Sequence, residues 1–202
     1  MIVIVDYGVG NLASVLNIIR KAGGDAIVSS SAKDIRNCDR LFLPGVGAFD
    51  HGMSNLEERR LIQPIQDRAQ DGAPILGICL GMQLLSRGSE EGQRPGLGLV
   101  PASFKRFADS TRGSLRVPHV GWNTINVVKT NDLVTDSDEE LRYYFVHSYY
   151  AVCDEPSDVI ATTMYGHEFP CIYGRGKIYG CQFHPEKSHR FGLQLIRRFL
   201  EL

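Results

Sequence analysis

The sequence lacks three features that would each define a class of protein. It contains no block of Lys and Arg, and its formal net charge is -1, which argues against nucleic-acid binding. No apolar run approaches the roughly 18 residues that a membrane-spanning helix needs. The first residues, Met1 to Asp6, carry no basic segment and reach an acidic side chain too early for a signal peptide. We therefore expect a cytoplasmic protein without a membrane or nucleic-acid partner.

The cysteines do not form a pattern typical of disulfides or metal sites. Their number, five, is odd, no Cys-x-x-Cys occurs, and the six histidines show no metal-ligand spacing with them. This favours reduced thiols in a cytoplasm, and we expect no metal and no cofactor. Apart from Cys79, discussed below, we interpret these residues as small buried hydrophobes: Cys38, Cys153, Cys171 and Cys181.

The hydrophobic pattern predicts an α/β fold. With 202 residues, 43% of them hydrophobic, the chain suits one domain covering residues 1–202. In the first half, short apolar runs alternate with helical periodicity, which indicates a mostly parallel sheet flanked by helices on both faces. Predicted strands there are 2–5, 26–28, 41–43 (ended by Pro44 and Gly45) and 75–78; predicted helices are 11–22, 55–70 and one starting at Leu80. After Gly88 strands dominate, which indicates a more antiparallel second half: 103–107, 124–128, 143–146, 159–164 and 177–183, before a final helix near 195–200.

One cysteine lies in a pattern that is typical of an enzyme nucleophile. The run Gly77-Ile78-Cys79-Leu80-Gly81 has the form Gly-x-nucleophile-x-Gly, in which a strand ends in a strained turn and a helix begins. Only small residues fit two positions to either side, because strand and helix pack closely there. The helix N-terminus would favour the thiolate, which is the attacking species. The alternative is a structural cysteine between packing glycines.

A proton shuttle for such a thiolate is available near the end of the chain. His184 follows an apolar strand and could accept and return a proton. Glu186, two residues later, could hold the other ring nitrogen and fix its tautomer. The alternative for a histidine at a strand end is a surface or structural role.

Two glycine-rich turns follow predicted strands. The run from Pro44 to Ala48 could direct a backbone N–H at an oxyanion, together with the N–H of Leu80, or it could be an ordinary turn. The run from Asp6 to Ala13 matches a relaxed dinucleotide fingerprint, Gly-x-Gly-x-x-Ala. Ser29 to Ser31 stand where that fingerprint needs an acidic residue, so a nicotinamide or flavin site is disfavoured.

Together these motifs resemble the class I, or triad, glutamine amidotransferases. The matching runs Pro-Gly-Val-Gly, Gly-Ile-Cys-Leu-Gly-Met-Gln and Phe-His-Pro-Glu occur in that family's order, at 44–47, 77–83 and 183–186. Within that class the chain is similar, along essentially its whole length, to the glutaminase subunits of imidazole glycerol phosphate synthase. That likeness is carried by residues 6–11, 118–123, 144–150 and 182–188.

The resemblance implies a flavodoxin-like fold and a set of roles. Cys79 would attack the amide of glutamine, His184 would protonate the leaving ammonia and activate water, and Glu186 would orient His184. Oxyanion donors would be the backbone of Leu80 and of Val46 or Gly47. The resemblance also assigns glutamine binding to five residues: Gly47, Gln83, Glu91, Ser148 and Tyr149.

The resemblance further implies a protein partner. Ammonia released into neutral water is protonated and no longer nucleophilic, and the sixteen residues after Glu186 are too few to form an acceptor domain. We expect a heterodimer with a separate (β/α)8-barrel synthase subunit, yielding imidazole glycerol phosphate and AICAR in histidine biosynthesis. The residues expected to face this subunit are Asp6, Tyr7, Gly10, Asn11, Trp122 and Asn123.

Three alternatives stay open at this point. The runs 165–170 and 188–192 resemble a paralogous branch that supplies ammonia for sugar amidation in lipopolysaccharide biosynthesis. A cysteine hydrolase or peptidase on a related fold is the second alternative, and a non-catalytic binding module is the third. The intact set of Cys79, His184 and Glu186 disfavours the last of these.

Overall fold

The chain is built around one large sheet and two small ones. The computed structural model describes residues 1–108, 116–135 and 140–202. The strands are β1 (Ile2–Val5), β2 (Ala26–Ser29), β3 (Arg40–Gly45), β4 (Ile75–Cys79), β5 (Gly88–Ser89), β6 (Ala102–Arg106), β7 (His119–Thr124), β8 (Asn126–Val127), β9 (Arg142–His147), β10 (Tyr149–Cys153), β11 (Val159–Tyr165), β12 (His167–Arg175) and β13 (Ile178–Cys181). The α-helices are α1 (Leu12–Lys21), α2 (Ala32–Asn37), α3 (Phe49–Glu58), α4 (Ile62–Gln70), α5 (Leu80–Leu85) and α6 (His189–Glu201), with 3-10 turns at Pro156–Asp158 and Pro185–Lys187.

The large sheet has eight strands in the order β2-β1-β3-β4-β13-β12-β11-β8. Its first five strands are parallel neighbours and its last three are antiparallel, so the predicted mixed α/β fold is confirmed. Strand β13 returns from the second half to lie beside β4, with Cys181 opposite Ile78. Because parallel strands end at the same edge, this pairing brings the residues after β13 next to Cys79.

Helices cover both faces of the parallel part, as the sequence predicts. Alternate residues of β1 point to opposite faces: Ile4 packs with α1 and α6, whereas Val3 and Val5 pack with α2 to α5. Each face is a continuous buried apolar cluster. No helix in the described part of the chain combines the length and apolar character needed to cross a bilayer.

Local sequence signals set both ends of helix α1, and they show why elements of the first half can be predicted from the sequence. Its N-terminus is capped by Asn11, whose Oδ1 accepts a hydrogen bond from the N–H of Ser14 at 3.3 Å. It ends before Gly23, whose φ of 95° places it in the left-handed region. Both signals are local, so helix 11–22 is confirmed to within a residue at each end.

The predicted helix 55–70 is wrong, because the segment forms two helices. Helix α3 begins at Phe49, and Arg60 has a φ of 56°, which interrupts the helix before α4. Ala48 offers no side chain to cap α3. The carboxylate of Glu91 instead accepts a hydrogen bond from the N–H of Phe49 at 3.0 Å. A cap supplied 42 residues along the chain leaves no local signal.

Other differences arise from tertiary pairing. Strand β3 does not stop before Pro44 and Gly45 but continues through them, opposite Ile78 and Cys79. The predicted strand 124–128 is replaced by two strands, β7 and β8. Helix α2 and strands β10 and β12 are absent from the prediction; β12 contains Pro170 and is stabilised by its antiparallel neighbours β11 and β13.

Candidate active site

Cys79 lies at a strained turn between β4 and α5. Its φ of 53° and ψ of -106° are unusual for a residue with a side chain. The flanking glycines are required by packing. A Cβ at Gly81 would lie 1.6 Å from the carbonyl oxygen of Leu43, and one at Gly77 would lie 2.7 Å from the carbonyl carbon of Gly81. The prediction that only small residues fit around Cys79 is therefore confirmed.

The Cys79 sulfur faces polar groups from the second half of the chain. Its Sγ lies 3.8 Å from the carbonyl oxygen of Val146 and 3.8 Å from Nε2 of Gln182. Gln182, which directly follows β13, is fully buried, although this position alone does not indicate that it meets the cysteine. Its amide can donate to the sulfur, and the Cys79 thiol can donate to the carbonyl oxygen of Val146, so both contacts orient the sulfur.

His184 and Glu186 form a buried pair after β13. The Nδ1 atom of His184 lies 2.7 Å from Oε1 of Glu186, and their side chains are 2% and 3% exposed. Burial lowers the pKa of His184, but interaction with the Cys79 thiolate and with Glu186 outweighs it and raises the pKa to about 10. The imidazole is therefore protonated at neutral pH, with Nδ1 donating to the carboxylate.

A serine holds this histidine turn against β9. The hydroxyl of Ser188 donates to the carbonyl oxygen of His184 at 2.6 Å and accepts from the N–H of Tyr144 at 3.0 Å. The N–H of His184 in turn donates to the carbonyl oxygen of Tyr144 at 2.9 Å. The backbone around His184 is thus fixed by side-chain and main-chain hydrogen bonds.

Cys79 opens onto a cavity of about 550 Å³. The cavity contains all five residues expected to bind glutamine, together with the oxyanion candidates. Its lining is Val46, Gly47, Ala48, Cys79, Leu80, Gln83, Glu91, Pro118, Val146, His147, Ser148 and Tyr149. Sequence reasoning did not assign Ala48, Pro118, Val146 or His147 to the site. Pro118, Val146 and His147 do lie in the runs 118–123 and 144–150, and Ala48 follows directly on the run 44–47.

The structure separates Glu91 from its neighbour Glu90. Glu91 lines the cavity, and burial raises the pKa of its carboxyl group. Glu90 is exposed, and its Oε2 accepts from the N–H of Arg106 at 2.9 Å. Glu91 is therefore the carboxylate that can meet a ligand in the cavity.

Two further features prepare this cavity for a polar ligand. The Oε1 atom of Gln83 is buried and has no hydrogen-bond partner among the described residues. Gly47 has a φ of 114°, a conformation that favours glycine and directs the turn after β3 over the cavity. Val46 and Gly47 of this turn line the cavity together with Leu80.

The residues expected to face a partner differ in how exposed their side chains are. Tyr7 is fully buried, and its hydroxyl donates to the carbonyl oxygen of Pro44 at 2.8 Å, so its side chain supports the turn from inside. This corrects the expectation that Tyr7 faces a partner. Trp122 is 41% exposed and stacks on His189. Asn11 is also exposed.

The remaining members of that set are half-buried. Asp6 accepts a hydrogen bond from the N–H of Gly8 at 3.0 Å, which stabilises the turn after β1. Gly10 follows in the same turn and has a φ of 100°. Asn123, beside Trp122, donates to the carbonyl oxygen of Met164.

Comparison with known proteins agrees with this fold. The sequence model of the class-I glutamine amidotransferases matches residues 3–202. A crystal structure of a glutamine amidotransferase superposes with a TM-score of 0.77 at 20% identity, covering 98% of this chain and 97% of that one. The structure of PurLQS from Thermotoga maritima superposes with a TM-score of 0.74 at 17% identity, covering 99% and 97%. The chain belongs to the class-I glutamine amidotransferase family.

Within this class, three relatives matched along nearly their whole length are named as subunits of imidazole glycerol phosphate synthase. The protein named imidazole glycerol phosphate synthase subunit HisH 2 of Pseudomonas aeruginosa is 44% identical, with both chains covered completely. The protein of the same name from Methanococcus maripaludis is 45% identical over 100% of this chain and 99% of that one. Subunit HisH of Sulfurimonas denitrificans is 47% identical over 98% and 97%. The chain thus also belongs to the family of these synthase subunits.

Proposed function

We propose that this chain is the glutaminase subunit of an imidazole glycerol phosphate synthase in histidine biosynthesis. It would hydrolyse L-glutamine to glutamate and ammonia and pass the ammonia to a synthase subunit. The main observation behind this proposal is that Cys79, at the strained turn between β4 and α5, lines the same cavity as Gln83, Glu91 and Ser148. The names of the full-length relatives support this pathway over sugar amidation.

The first half-reaction forms a thioester. The Sγ of Cys79 attacks the amide carbon of the glutamine side chain, and the carbonyl oxygen gains negative charge. Backbone N–H groups of Leu80 and of Val46 or Gly47 would stabilise this oxyanion. His184 donates its Nε2 proton to the amide nitrogen, the C–N bond breaks, and ammonia leaves.

The second half-reaction restores the enzyme. His184, now neutral, removes a proton from water, and the water oxygen attacks the thioester carbon. The C–S bond breaks, glutamate leaves, and Cys79 returns as a thiolate beside protonated His184. Glu186 holds Nδ1 throughout, so Nε2 keeps the same orientation in both steps.

Among the described residues that line the cavity, Glu91 is the acidic side chain available to the amino-acid end of glutamine. Glu91 would bind the α-ammonium group, since it is the carboxylate on the cavity wall. Gln83, Ser148 and Tyr149 supply polar atoms for the carboxylate and amide, and Gly47 would bind through its backbone. A peptide substrate would have no free ammonium group at that point, so this arrangement favours glutamine over a peptide.

The proposed partner is a (β/α)8-barrel synthase subunit that forms a heterodimer with this chain. The 3-10 turn that carries Glu186 packs against α1 and β9, and Trp122 stacks on His189 just after it. An exposed aromatic ring beside the catalytic turn is a suitable anchor for a protein interface. Ammonia could then leave the site into the partner without entering bulk water. The unpaired cysteines support a cytoplasmic setting.

Cys79→Ala tests the chemistry. We expect the complex of wild-type chain and synthase subunit to release glutamate from glutamine, and the variant to lose this activity. Cys153→Ala is the matched control: Cys153 is half-buried on β10, and burial raises the pKa of its thiol to about 12. Equal activity of Cys79→Ala and wild type would contradict the mechanism. Loss of activity in both variants would show that thiol removal acts through the fold.

A further inference from the structure

Two histidines outside the triad form a buried pair beside the cavity. His119 on β7 and His147 on β9 stand directly opposite each other and are 3% and 5% exposed. The Nδ1 of His119 lies 2.9 Å from Nε2 of His147. His119 is stacked between the rings of Phe145 and Tyr165, at centroid distances of 4.8 and 4.0 Å.

The partners of this pair define where its protons lie. The Nδ1 of His147 is 2.8 Å from the carbonyl oxygen of Tyr149, which can only accept, so this Nδ1 carries a hydrogen. The Nε2 of neutral His147 must then accept, and Nδ1 of His119 donates to it. The Nε2 of His119 accepts in turn from the amide nitrogen of Asn123, at 3.3 Å.

The outer end of this chain of hydrogen bonds is also fixed by backbone groups. The amide nitrogen of Asn123 donates to the carbonyl oxygen of Met164 at 2.9 Å. Its Oδ1 accepts from the N–H of Thr124 at 2.8 Å. These two contacts set the orientation of the amide, so one proton arrangement satisfies every link from Asn123 to Tyr149.

Both histidines are neutral in this arrangement. Burial lowers the pKa of His119 to about 4. Burial is also the main cause that lowers the pKa of His147 to about 3, and it outweighs the hydrogen bond with the carbonyl oxygen of Tyr149, which acts in the opposite direction. Neither ring therefore exchanges a proton with the triad near neutral pH.

The inner end of the chain controls the shape of the cavity wall. The hydrogen bond from His147 to Tyr149 spans Ser148, at the bend where β9 passes into β10. These three residues line the cavity, and the preceding carbonyl, that of Val146, faces the sulfur of Cys79. A shift of the His147 ring would therefore move the backbone that presents Ser148 and Tyr149.

We propose that Asn123, His119 and His147 form a positioning relay that sets the bend at Ser148 and thereby the affinity for glutamine. These are positioning residues, because they act through Ser148 and Tyr149, the residues assigned to glutamine binding. The role in affinity rests on the proposed glutaminase function, whereas the proton arrangement does not. The relay begins at an exposed edge, beside Trp122, and ends in the cavity.

Nitrogen-15 NMR of the imidazole rings tests the relay without any activity measurement. We expect His119 and His147 to be neutral Nδ1–H tautomers, unchanged between about pH 6 and pH 8. The signals would be assigned with His119→Asn and His147→Asn. An Nε2–H tautomer or an imidazolium at either position in this range would overturn the arrangement.

Kinetics of the complex test the effect on glutamine. His119→Leu replaces the imidazole with an apolar side chain of similar size and removes the donor, and we expect its KM for glutamine to rise roughly tenfold with kcat changed less than about threefold. His119→Asn retains a donor near the Nδ1 position, and we expect it to restore KM to within about threefold of wild type. His51→Asn, on the exposed face of α3, is the matched control and should change neither constant.

Equal impairment of the Leu and Asn variants would overturn the proposal, because it would indicate a purely structural role. A His119→Leu variant with unchanged KM would overturn it as well. If that variant fails to fold, Asn123→Ala removes the outer donor from a half-buried position and should raise KM about threefold. A wild-type complex without glutaminase activity would contradict the proposed function, while the tautomers would still test the relay.

Discussion

The two halves of the catalytic site are held in place by different physical means. Cys79, in the parallel half, is positioned by backbone packing that leaves no room for a Cβ at Gly77 or Gly81. His184, in the second half, is positioned by a hydrogen bond that its ring donates to Glu186 and by one that its carbonyl oxygen accepts from Ser188. The nucleophile therefore depends on steric exclusion and the proton shuttle on polar contacts. A substitution that crowds the turn at Cys79 should destabilise the fold. A substitution that removes a hydrogen bond of His184 should leave a folded protein that reacts slowly.

The largest expected effect comes from adding a side chain at Gly81, in the turn that carries Cys79. Gly81→Ala places a Cβ against the backbone oxygen of Leu43, which cannot move without shifting β3. We expect a loss of about 3 kcal/mol or more in the free energy of unfolding. Chemical denaturation measures this. Gly88→Ala is the control, since its nearest neighbour is 4.0 Å away, and a similar loss in both variants would refute the steric argument.

The second largest expected effect is a loss of catalytic rate in a protein that stays folded. Glu186→Gln removes the carboxylate that orients and charges His184, so kcat for glutamine hydrolysis should fall on the order of 100-fold. The melting temperature should change far less than in Gly81→Ala. Steady-state kinetics and calorimetry on the same preparation check both statements. A variant that unfolds like Gly81→Ala would remove the distinction between the two halves.

A smaller effect should appear in substrate binding. Glu91→Gln keeps an oxygen that can cap α3 but removes the charge, so KM for glutamine should rise about tenfold. Glu90→Gln is the matched control on the exposed neighbour and should leave KM unchanged. The opposite ranking of these two variants would show that the cavity does not hold the ammonium end of glutamine.

A further effect of Glu186→Gln concerns the pH dependence of stability. The folded pKa of His184, about 10, lies above its ordinary value of 6.5, so protonated His184 stabilises the fold. This contribution is complete below about pH 6.5 and is lost as the pH rises through about 10. Glu186→Gln removes part of it, and the difference in unfolding free energy between wild type and variant should shrink between those values. A difference that grows with pH would contradict the sign of the shift.

The sequence predicts the secondary structure of the parallel half more accurately than that of the second half. The strand before Cys79, the helix after it and the cap at Asn11 depend on local signals, and each was predicted to within a residue or two. The start of α3 was not predictable, because its cap is Glu91.

In the second half, long-range pairing decides more. Strands β10 and β12 have weak hydrophobic patterns in the sequence. They form because neighbouring strands pair with their backbone N–H and C=O groups. The triad residues follow from motif and spacing. In contrast, the contact of Gln182 with Cys79 and the pairing of His119 with His147 depend on side-chain directions that no local pattern encodes.

The most direct test of the account compares two nitrogen sources in one assay. Formation of imidazole glycerol phosphate by this chain with its synthase subunit is measured with glutamine and, separately, with ammonium salt at high pH. For Cys79→Ala, we predict loss of the glutamine-dependent reaction and retention of the ammonia-dependent one, because only ammonia production requires the thiolate. Glutamine-dependent synthesis by Cys79→Ala at the wild-type rate would contradict the account.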